Sequence, residues 1–504
     1  MKKIVALGMS AMMVLGLAAC SGTDDAATTT AASNDNTKAA VEATTVADAE
    51  TAGTVEAGAM DDVKVGLICL HDENSTYDLN FINGLKEAAT NLGLSDDQIV
   101  IKTNIPETSD CYEAALDLVD AGCDIIFADS FGHESYILKG AQNYPNIQFG
   151  HATGTLAHTS NLSNYHNAFA SIYEGRYATG IAAGMKLNQI INDGNLTASQ
   201  AIVGYVGAFP YAEVISGYTA FYLGVKSVCD EAKMKVRYTY SWYDEEGEKE
   251  AAEKLIDEDE CKIISQHADS LGAPNVCESK GVPNIFYNGE NPTLNKSYLI
   301  SSRINWRPYF KYFINCTLNN ITMDPDWTGS LSDGSVEVYN ASSLAVVGTQ
   351  EAIDKAISDL KAGNLKVFDT SKFTVDGKTV TSYKADVDTD ANYTGDTEAI
   401  KDGYFHESEY RSAPYFDLKI DGISFPEVDN TDSDTGNTTN THHSTRYFSK
   451  KKGLSGGAIV AIVLPLAAAV LAVGGVIGYT TWGVSSAPKA PIENTATSLN
   501  HFVK

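Results

Sequence analysis

Residues Val63 to Gly93 read VKVGLICLHDENSTYDLNFINGLKEAATNLG. The run Val63–Leu70 is short, apolar and β-branched, the composition of a parallel strand buried on both faces. A polar loop, His71–Tyr77, follows it. Phe81, Ile82, Leu85, Ala88, Ala89 and Leu92 then recur at helical spacing, and Gly93 is placed to end the helix in a left-handed cap. Strand, loop and helix in this order begin an open α/β sheet. Such sheets bind ligands outside the carboxyl ends of their strands, so this loop is the first candidate for a site.

The alternation continues outward from this unit. Gln98–Thr103, Cys123–Ala128 and Asn146–Gly150 read as strands, with a helix capped by Ser109 and running through Leu118. A long helix near Ile172–Ile191 separates this set from a second one. There Ile202–Val206, Lys235–Ser241, Lys262–Ser265 and Asn284–Tyr287 are strands, and helices lie near 211–228, 246–257 and 271–280. This spacing predicts parallel sheets with right-handed crossovers. The fold class is therefore α/β, two doubly wound Rossmann-like lobes with a cleft between them. Further on, Asn305–Asn319 and Gln350–Leu360 read as helices, and Val336–Tyr339 and Leu365–Phe368 as closing strands. Asp-Gly pairs predict hairpins at Phe373–Val380 and Phe416–Phe425.

The two ends speak of a membrane. Met1–Lys3 is basic, Ile4–Ala19 is apolar, and Leu17-Ala18-Ala19-Cys20 looks like a bacterial lipobox, so residues 1–20 read as a secretory signal with Cys20 as the lipidated residue. Residues 21–60 lack large apolar side chains and read as an acidic tether. The binding region covers 61–426, with lobe 1 at about 61–168 plus part of 288–330, and lobe 2 at about 170–287 plus 333–426. Residues 427–452 form a low-complexity linker, and Ala458–Tyr479 is apolar and long enough to span a bilayer, leaving a short tail at 480–504. The expected location is the extracytoplasmic face of the plasma membrane.

Asp and Glu total 65 against 36 Lys and Arg, a net charge of −29, which excludes nonspecific nucleic-acid binding because phosphate contacts need a basic surface. Besides Cys20 there are seven cysteines and no CxxC pair, so neither a zinc ribbon nor a thioredoxin motif is present. Cys69 and Cys261 read as small core residues, and Cys111 with Cys123 is one candidate disulfide. No Walker A loop, HExxH or Cys/His nucleophile signature occurs, so the chain reads as a binding protein without a cofactor and not as an enzyme. His133-Glu134 and His406-Glu407 read as surface or hinge pairs.

Glu174-Gly175, four residues, then Gly180-Ile181-Ala182-Ala183 resembles the EGxxxxGxAA signature of the basic membrane protein (BMP) family. Val203–Phe209, Ser241–Ala252 and Ile300–Trp306 resemble further segments of that family. It contains lipoprotein substrate-binding components of ABC transporters, purine nucleoside receptors among them. The resemblance implies a type I periplasmic-binding architecture that closes on its ligand, and an ABC permease as partner in a bacterial host. It also aligns Thr76-Tyr77-Asp78 with the family's DxSFN-like run, Thr153 and Asn288 with two aspartates, Asp269-Ser270 with a Gly-Gly pair, and Arg303 with the ligand lysine. Losing the charged acceptor at Asn288, and replacing Lys by Arg, both alter a nucleoside site.

Strand ends alone nominate a consistent set of ligand-facing residues. They are His71, Asp72, Asn74, Tyr77 and Asp78, then Asp129, Ser130 and Phe131, then Thr153. The second set contributes Phe209, Trp242, Asp244, His267, Asp269 and Asn288, and the resemblance adds Arg303. Aromatic rings beside carboxylates and amides suit a small, planar polar ligand, a nucleoside first. A competing reading places a transition metal among His71, His133, His151 and His267 with Asp72, Asp129 and Asp269. Another makes the protein a cell-surface adhesin or interaction protein on the same scaffold.

Overall fold

Two sheets, one parallel and one parallel but for a single edge strand, face each other across a cleft, and each is built by the β–α alternation that the sequence shows. The computed structural model describes residues 62–426, apart from Pro292 and residues 388–393. The expected signal, tether, linker, membrane span and tail all lie outside the described residues. Within them, no helix is long and apolar enough to cross a membrane.

In chain order the first lobe contains β1 (Val65–Ile68), α1 (Thr76–Leu92), β2 (Ile99–Lys102), α2 (Ser109–Asp120), β3 (Ile125–Ala128), α3 (Glu134–Asn143), β4 (Gln148–Ala152), α4 (Ala157–Ser160) and β5 (Tyr165–Ala170). The second contains α5 (Ile172–Asn192), β6 (Ile202–Gly207), α6 (Ala212–Lys226), β7 (Lys233–Tyr238), α7 (Glu245–Asp257), β8 (Ile263–His267), α8 (Gly272–Lys280), β9 (Asn284–Tyr287) and β10 (Tyr298–Ile304). The chain then returns to the first lobe for α9 (Arg307–Leu318) and β11 (Asp326–Gly329), and goes back to the second for β12 (Val336–Val338) and α10 (Thr349–Lys361). Short strands follow: β13 (Lys384–Ala385), β14 (Thr397–Glu398), β15 (Ile400–Lys401), β16 (Tyr404–Phe405) and β17 (Ile423–Ser424).

The first sheet has the order β11-β5-β4-β3-β1-β2, and the second β12-β10-β9-β8-β6-β7-β17. Apart from β17 the two orders match strand for strand, so the lobes repeat one strand order; they differ at one edge, where β11 runs parallel to β5 and β12 antiparallel to β10. Three crossings join them, at Ser171, at Asn305–Trp306 and at Ser330–Ser335. They are laced together: Ser171 N donates to Gly329 O at 2.8 Å, and Asn305 N donates to Ser335 O at 2.8 Å.

Helix α5 explains the Glu174–Ala183 motif physically. Glu174 accepts a hydrogen bond from Leu331 N at 2.8 Å, tying the helix start to the third crossing. Gly180 and Gly224 lie where α5 meets α6. A Cβ on either would collide with a carbonyl oxygen of the facing helix, that of Phe221 or Tyr177. Ala182 and Ala183 are buried, and a Cβ on Gly184 would meet the Val225 carbonyl oxygen in the same seam. Small residues thus permit backbone contact that a larger side chain would prevent.

Several expectations need correction. The cap of α2 is Thr108, whose hydroxyl accepts from Asp110 N, and not Ser109. Strand β5 is absent from the expected set because its His and Asn interrupt the apolar run, yet all six residues are buried. Leu365–Phe368 is turn and not strand; there Phe368 stacks on Phe416 at 4.3 Å. All seven cysteines in the described residues are free and buried, so Cys111 and Cys123 form no disulfide. His133, His406 and Glu407 are buried, not surface residues.

The Asp-Gly turns separate by backbone geometry. Asp376-Gly377 and Asp402-Gly403 each have positive φ at both residues, and each closes an antiparallel pairing, Val375 with Lys378 and β15 with β16. At Asp421-Gly422 only the glycine is positive. No hairpin forms there, and β17 instead adds in parallel to β7 at the sheet edge.

Two predictions follow from this packing. Gly180→Ala should lower the unfolding free energy by about 1–3 kcal/mol in urea titrations, through overpacking at the α5–α6 seam; an unchanged midpoint would refute the close-contact explanation. Burial pushes the Glu174 and Glu407 carboxyls up to about 7. Their protonated forms are favoured in the fold, so the stability they contribute is complete below the ordinary Glu value of about 4.3 and is lost as pH rises through about 7. The urea midpoint should therefore fall between about pH 5 and 8, and Glu407→Gln should flatten that fall.

Candidate functional site

The carboxyl ends of the two sheets close on a narrow cavity of about 20 Å3, room for about one water and far below the ~300–1,000 Å3 usual for occupied ligand pockets, so the lobes must part to admit a solute. Its lining comprises Leu70, Tyr77, Asp78, Ser130, Phe131 and Thr153 from the first lobe, and Glu213, Trp242, His267 and Asp269 from the second.

The lobes touch around this cavity. Thr76 N donates to Asp269 O at 3.1 Å. Asn80 Nδ2 donates to Asn288 O at 2.7 Å. The Phe131 ring stacks on Tyr211 at 5.3 Å, and His71 packs against Tyr243 at 5.4 Å. The arrangement is a closed one, with the cavity sealed by contacts between opposite loops.

Asp78 stands in the first turn of α1 and is fully buried. Burial pushes its carboxyl up, but hydrogen bonds from His71 and Ser75 outweigh that and hold it below the usual value. His71 N donates to its Oδ1 at 2.8 Å, and the Ser75 hydroxyl donates to Oδ2. Behind it lies Asp129, fully buried, where desolvation and the Asp78 charge raise its pKa well above the carboxylate range. Asp129 Oδ1 accepts from Leu70 N at 3.1 Å, and its carbonyl accepts from Tyr77 Oη at 2.8 Å. Asp129 therefore shapes the first-lobe wall from behind.

The second lobe mirrors this. Glu213 stands in the first turn of α6, as Asp78 does in α1. Its Oε1 lies 3.4 Å from His267 Nε2, and Tyr287 Oη lies 2.8 Å from the same nitrogen. Burial holds the His267 imidazole below its ordinary pKa, so it is neutral at pH 7. Asp269 follows β8, and desolvation, then the charges of Asp78, Glu248 and Glu213, push its carboxyl well up. Phe209 meets Tyr211 at 5.0 Å in a stack and Trp242 at 5.1 Å edge-on, so three rings form one wall and Phe209 supports it from outside the lining.

The structure brings eight of the expected residues to the cavity: Tyr77, Asp78, Ser130, Phe131, Thr153, Trp242, His267 and Asp269. The others have different work. Asp72 accepts from Asn74 N at 3.0 Å and from Asn74 Nδ2 at 2.8 Å, so this exposed pair closes its own loop. His71 binds Asp78 and sits one step from the lining. Asp244 is the N-cap of α7, accepting from Gly247 N at 3.0 Å. Asn288 holds a left-handed turn, φ 58°, and accepts from Ile304 N at 3.3 Å. Arg303 is turned to β12, where it pairs with Glu337 at 2.8 Å and leaves the cavity.

The four histidines do not assemble around an ion. His133 Nε2 bonds Ile105 O at 2.9 Å and His151 Nε2 bonds Ser130 O at 2.7 Å. Burial lowers both to about 4. The one metal-compatible grouping among the described residues, Cys69 with Asp78 and Asp129, contains no histidine. Sequence reasoning missed Glu213 and Leu70. The signal for Glu213 was available: an acid in the first helical turn after the leading strand of a lobe, as at Asp78.

Comparison with known proteins agrees with this architecture. A purine-binding protein of Brucella abortus is 35% identical over 179 residues, 36% of this chain and 47% of that protein. A Haloferax volcanii protein named as an ABC-transporter glucose-binding protein is 36% identical over 188 residues, 37% of this chain and 44% of that one. The match thus spans about half the length of each curated relative. An ABC-transporter solute-binding protein structure from Aeropyrum pernix superposes with a TM-score of 0.50 at 15% identity, over 61% of this chain and 93% of that one, which shows the shared fold. The family profile described as "ABC transporter substrate-binding protein PnrA-like" matches residues 68–364, and the chain belongs to that Bmp family.

Proposed function

We propose that this protein captures a nucleoside or related nitrogen heterocycle outside the cytoplasm, by closure of two lobes, and presents it to an ABC-type permease. The observation that carries the reading is the closed cavity at the facing carboxyl ends of both sheets. It is walled by Tyr77, Phe131 and Trp242 and floored by carboxylates. Rings of this kind cover a planar base by stacking, while the polar groups fix its orientation. The named function of the Brucella abortus relative, purine binding, supports the ligand class. The basic and apolar start ending at Cys20, and the apolar stretch Ala458–Tyr479, support export and membrane tethering.

Ligand delivery by such a protein requires no chemistry on the solute. The lobes need only exchange their direct contacts for contacts to ligand. Loops carrying Thr76 and Asp269 meet through a single backbone hydrogen bond, so opening there breaks little.

Calorimetry and thermal shift of the full-length chain against nucleosides, nucleobases, sugars and divalent metals test the reading. A nucleoside should raise the melting temperature by mass action and bind at about micromolar Kd or tighter. Trp242→Ala should weaken that binding by about 30-fold or more, the effect of removing a central aromatic anchor. A response to metals alone, or to no solute, would sink the nucleoside assignment.

A further inference from the structure

Charge on the cavity surface is one-sided. Asp78, Glu213 and Asp269 line it, and no lysine or arginine does. Asp269 is 4% exposed, and its backbone is fixed on both sides, N to Trp242 O at 2.9 Å and O to Thr76 N at 3.1 Å. Its carboxylate meets no protein donor among the described residues. A buried, unpartnered carboxylate aimed into a cavity is costly unless something there pairs with it. Arg176 acts electrostatically on His267 and Tyr287 but is fully buried off the cavity surface, bonded to Ser265, Tyr205 and the Phe286 carbonyl. His267 itself is neutral and already engaged by Tyr287 and Glu213.

The aromatic wall completes the pattern. Trp242, Tyr77 and Phe131 present ring surface to the same space, and ring faces attract cations, most strongly when water is excluded. Carboxylates plus rings, with no competing basic side chain, form a receptor for positive charge.

We infer that the ligand is a small organic cation, a charged planar nitrogen heterocycle or an arylalkylamine, whose charged nitrogen seats among Asp78, Glu213 and Asp269 against the aromatic wall. The inference rests on the solute-binding reading above and narrows its ligand class. Neutral bases are poorer partners: they offer N–H donors to the carboxylates but leave the excess negative charge uncompensated.

A linked proton follows from the same geometry. The groups facing Asp269 are Asp78 from α1, Glu213 from α6 and Glu248 from α7, all acidic, and they act with burial to favour its protonated form. A bound cation reverses the balance, so Asp269 ionises and releases its proton. Affinity for the cation should therefore rise with pH.

The test is isothermal titration calorimetry of the full-length chain with adenosine, inosine, the cation 1-methyladenosine and tyramine, each in two buffers of different ionisation enthalpy. At least one cation should bind about ten-fold or more tightly than adenosine, with proton release to the buffer. Asp269→Asn should erase that preference and the proton release; Glu213→Gln, which keeps shape and removes one charge, should reduce the preference if the first variant does not fold. Neutral nucleosides binding as tightly as both cations would overturn the inference and leave the solute-binding reading standing. No binding by any of these compounds would overturn both.

Discussion

A permanent positive charge lies buried beneath the second sheet, and much of the lobe is arranged to hold it. Arg176 is fully buried, so its donors have to find partners inside the protein; the two terminal nitrogens do, and Nε has none among the described residues. Nη2 donates to the Ser265 hydroxyl at 2.5 Å and to Tyr205 Oη at 3.1 Å, while Nη1 donates to Phe286 O at 3.3 Å. Those acceptors come from β8, β6 and β9, so one side chain on α5 pins three strands. The rings of Tyr205, Phe221 and Tyr287 surround the guanidinium at 5.3–5.4 Å. All its acceptors are neutral, which leaves the positive charge uncancelled. Its field acts on the Tyr287–His267–Glu213 line that reaches the cavity, opposing protonation of His267.

The repeat of topology between lobes gives the cleft its chemistry. Both lobes place an acid in the first turn of the helix after their leading strand, Asp78 and Glu213, and both place an aspartate just after the third, Asp129 and Asp269. Helix N-termini favour negative charge at Asp78 and Glu213, whereas burial disfavours it at Asp129 and Asp269. The equivalence then breaks. Asp129 turns inward behind Asp78, with Leu70 N as donor, whereas Asp269 stays on the cavity surface. One scaffold thus yields a structural carboxyl in one lobe and an exposed-to-ligand carboxylate in the other.

The α/β fold was legible because its signals are periodic. Apolar strand runs, helical stripes and glycine caps such as Gly93, φ 82°, each constrain local structure independently of distant residues. Strand β5 escaped because Tyr165, His166 and Asn167 look polar in sequence; their partners, such as Asp324 O for His166 Nδ1 at 2.9 Å, come from far along the chain. The third Asp-Gly turn misled for a related reason: Asp421 is engaged by Gly377 N at 2.8 Å, so a tertiary contact uses the side chain that would otherwise signal a hairpin. The site was legible by strand end but not by side-chain direction. Asp72, Asp244 and Asn288 fall in the same strand-end segments as Asp78 and Asp269, yet their side chains close turns and caps. Polar residues at strand ends serve both purposes, and local sequence does not separate them.

The long-range field and the local site have the same sign. A net charge of −29 over the chain sets up a negative potential, and a cleft with low-dielectric walls focuses it. That potential concentrates cations at the mouth and disfavours anionic solutes, phosphorylated nucleotides included. Inside, the field of a neutral ligand does nothing to relieve Asp269, whose neighbours from three helices are all acidic. Closure then makes the difference larger, because excluding water strengthens each remaining charge–charge term. A cleft of this kind discriminates by charge before it discriminates by shape. The aromatic wall of Phe209, Tyr211 and Trp242, held by mutual ring contacts and not by ligand, supplies the shape term second.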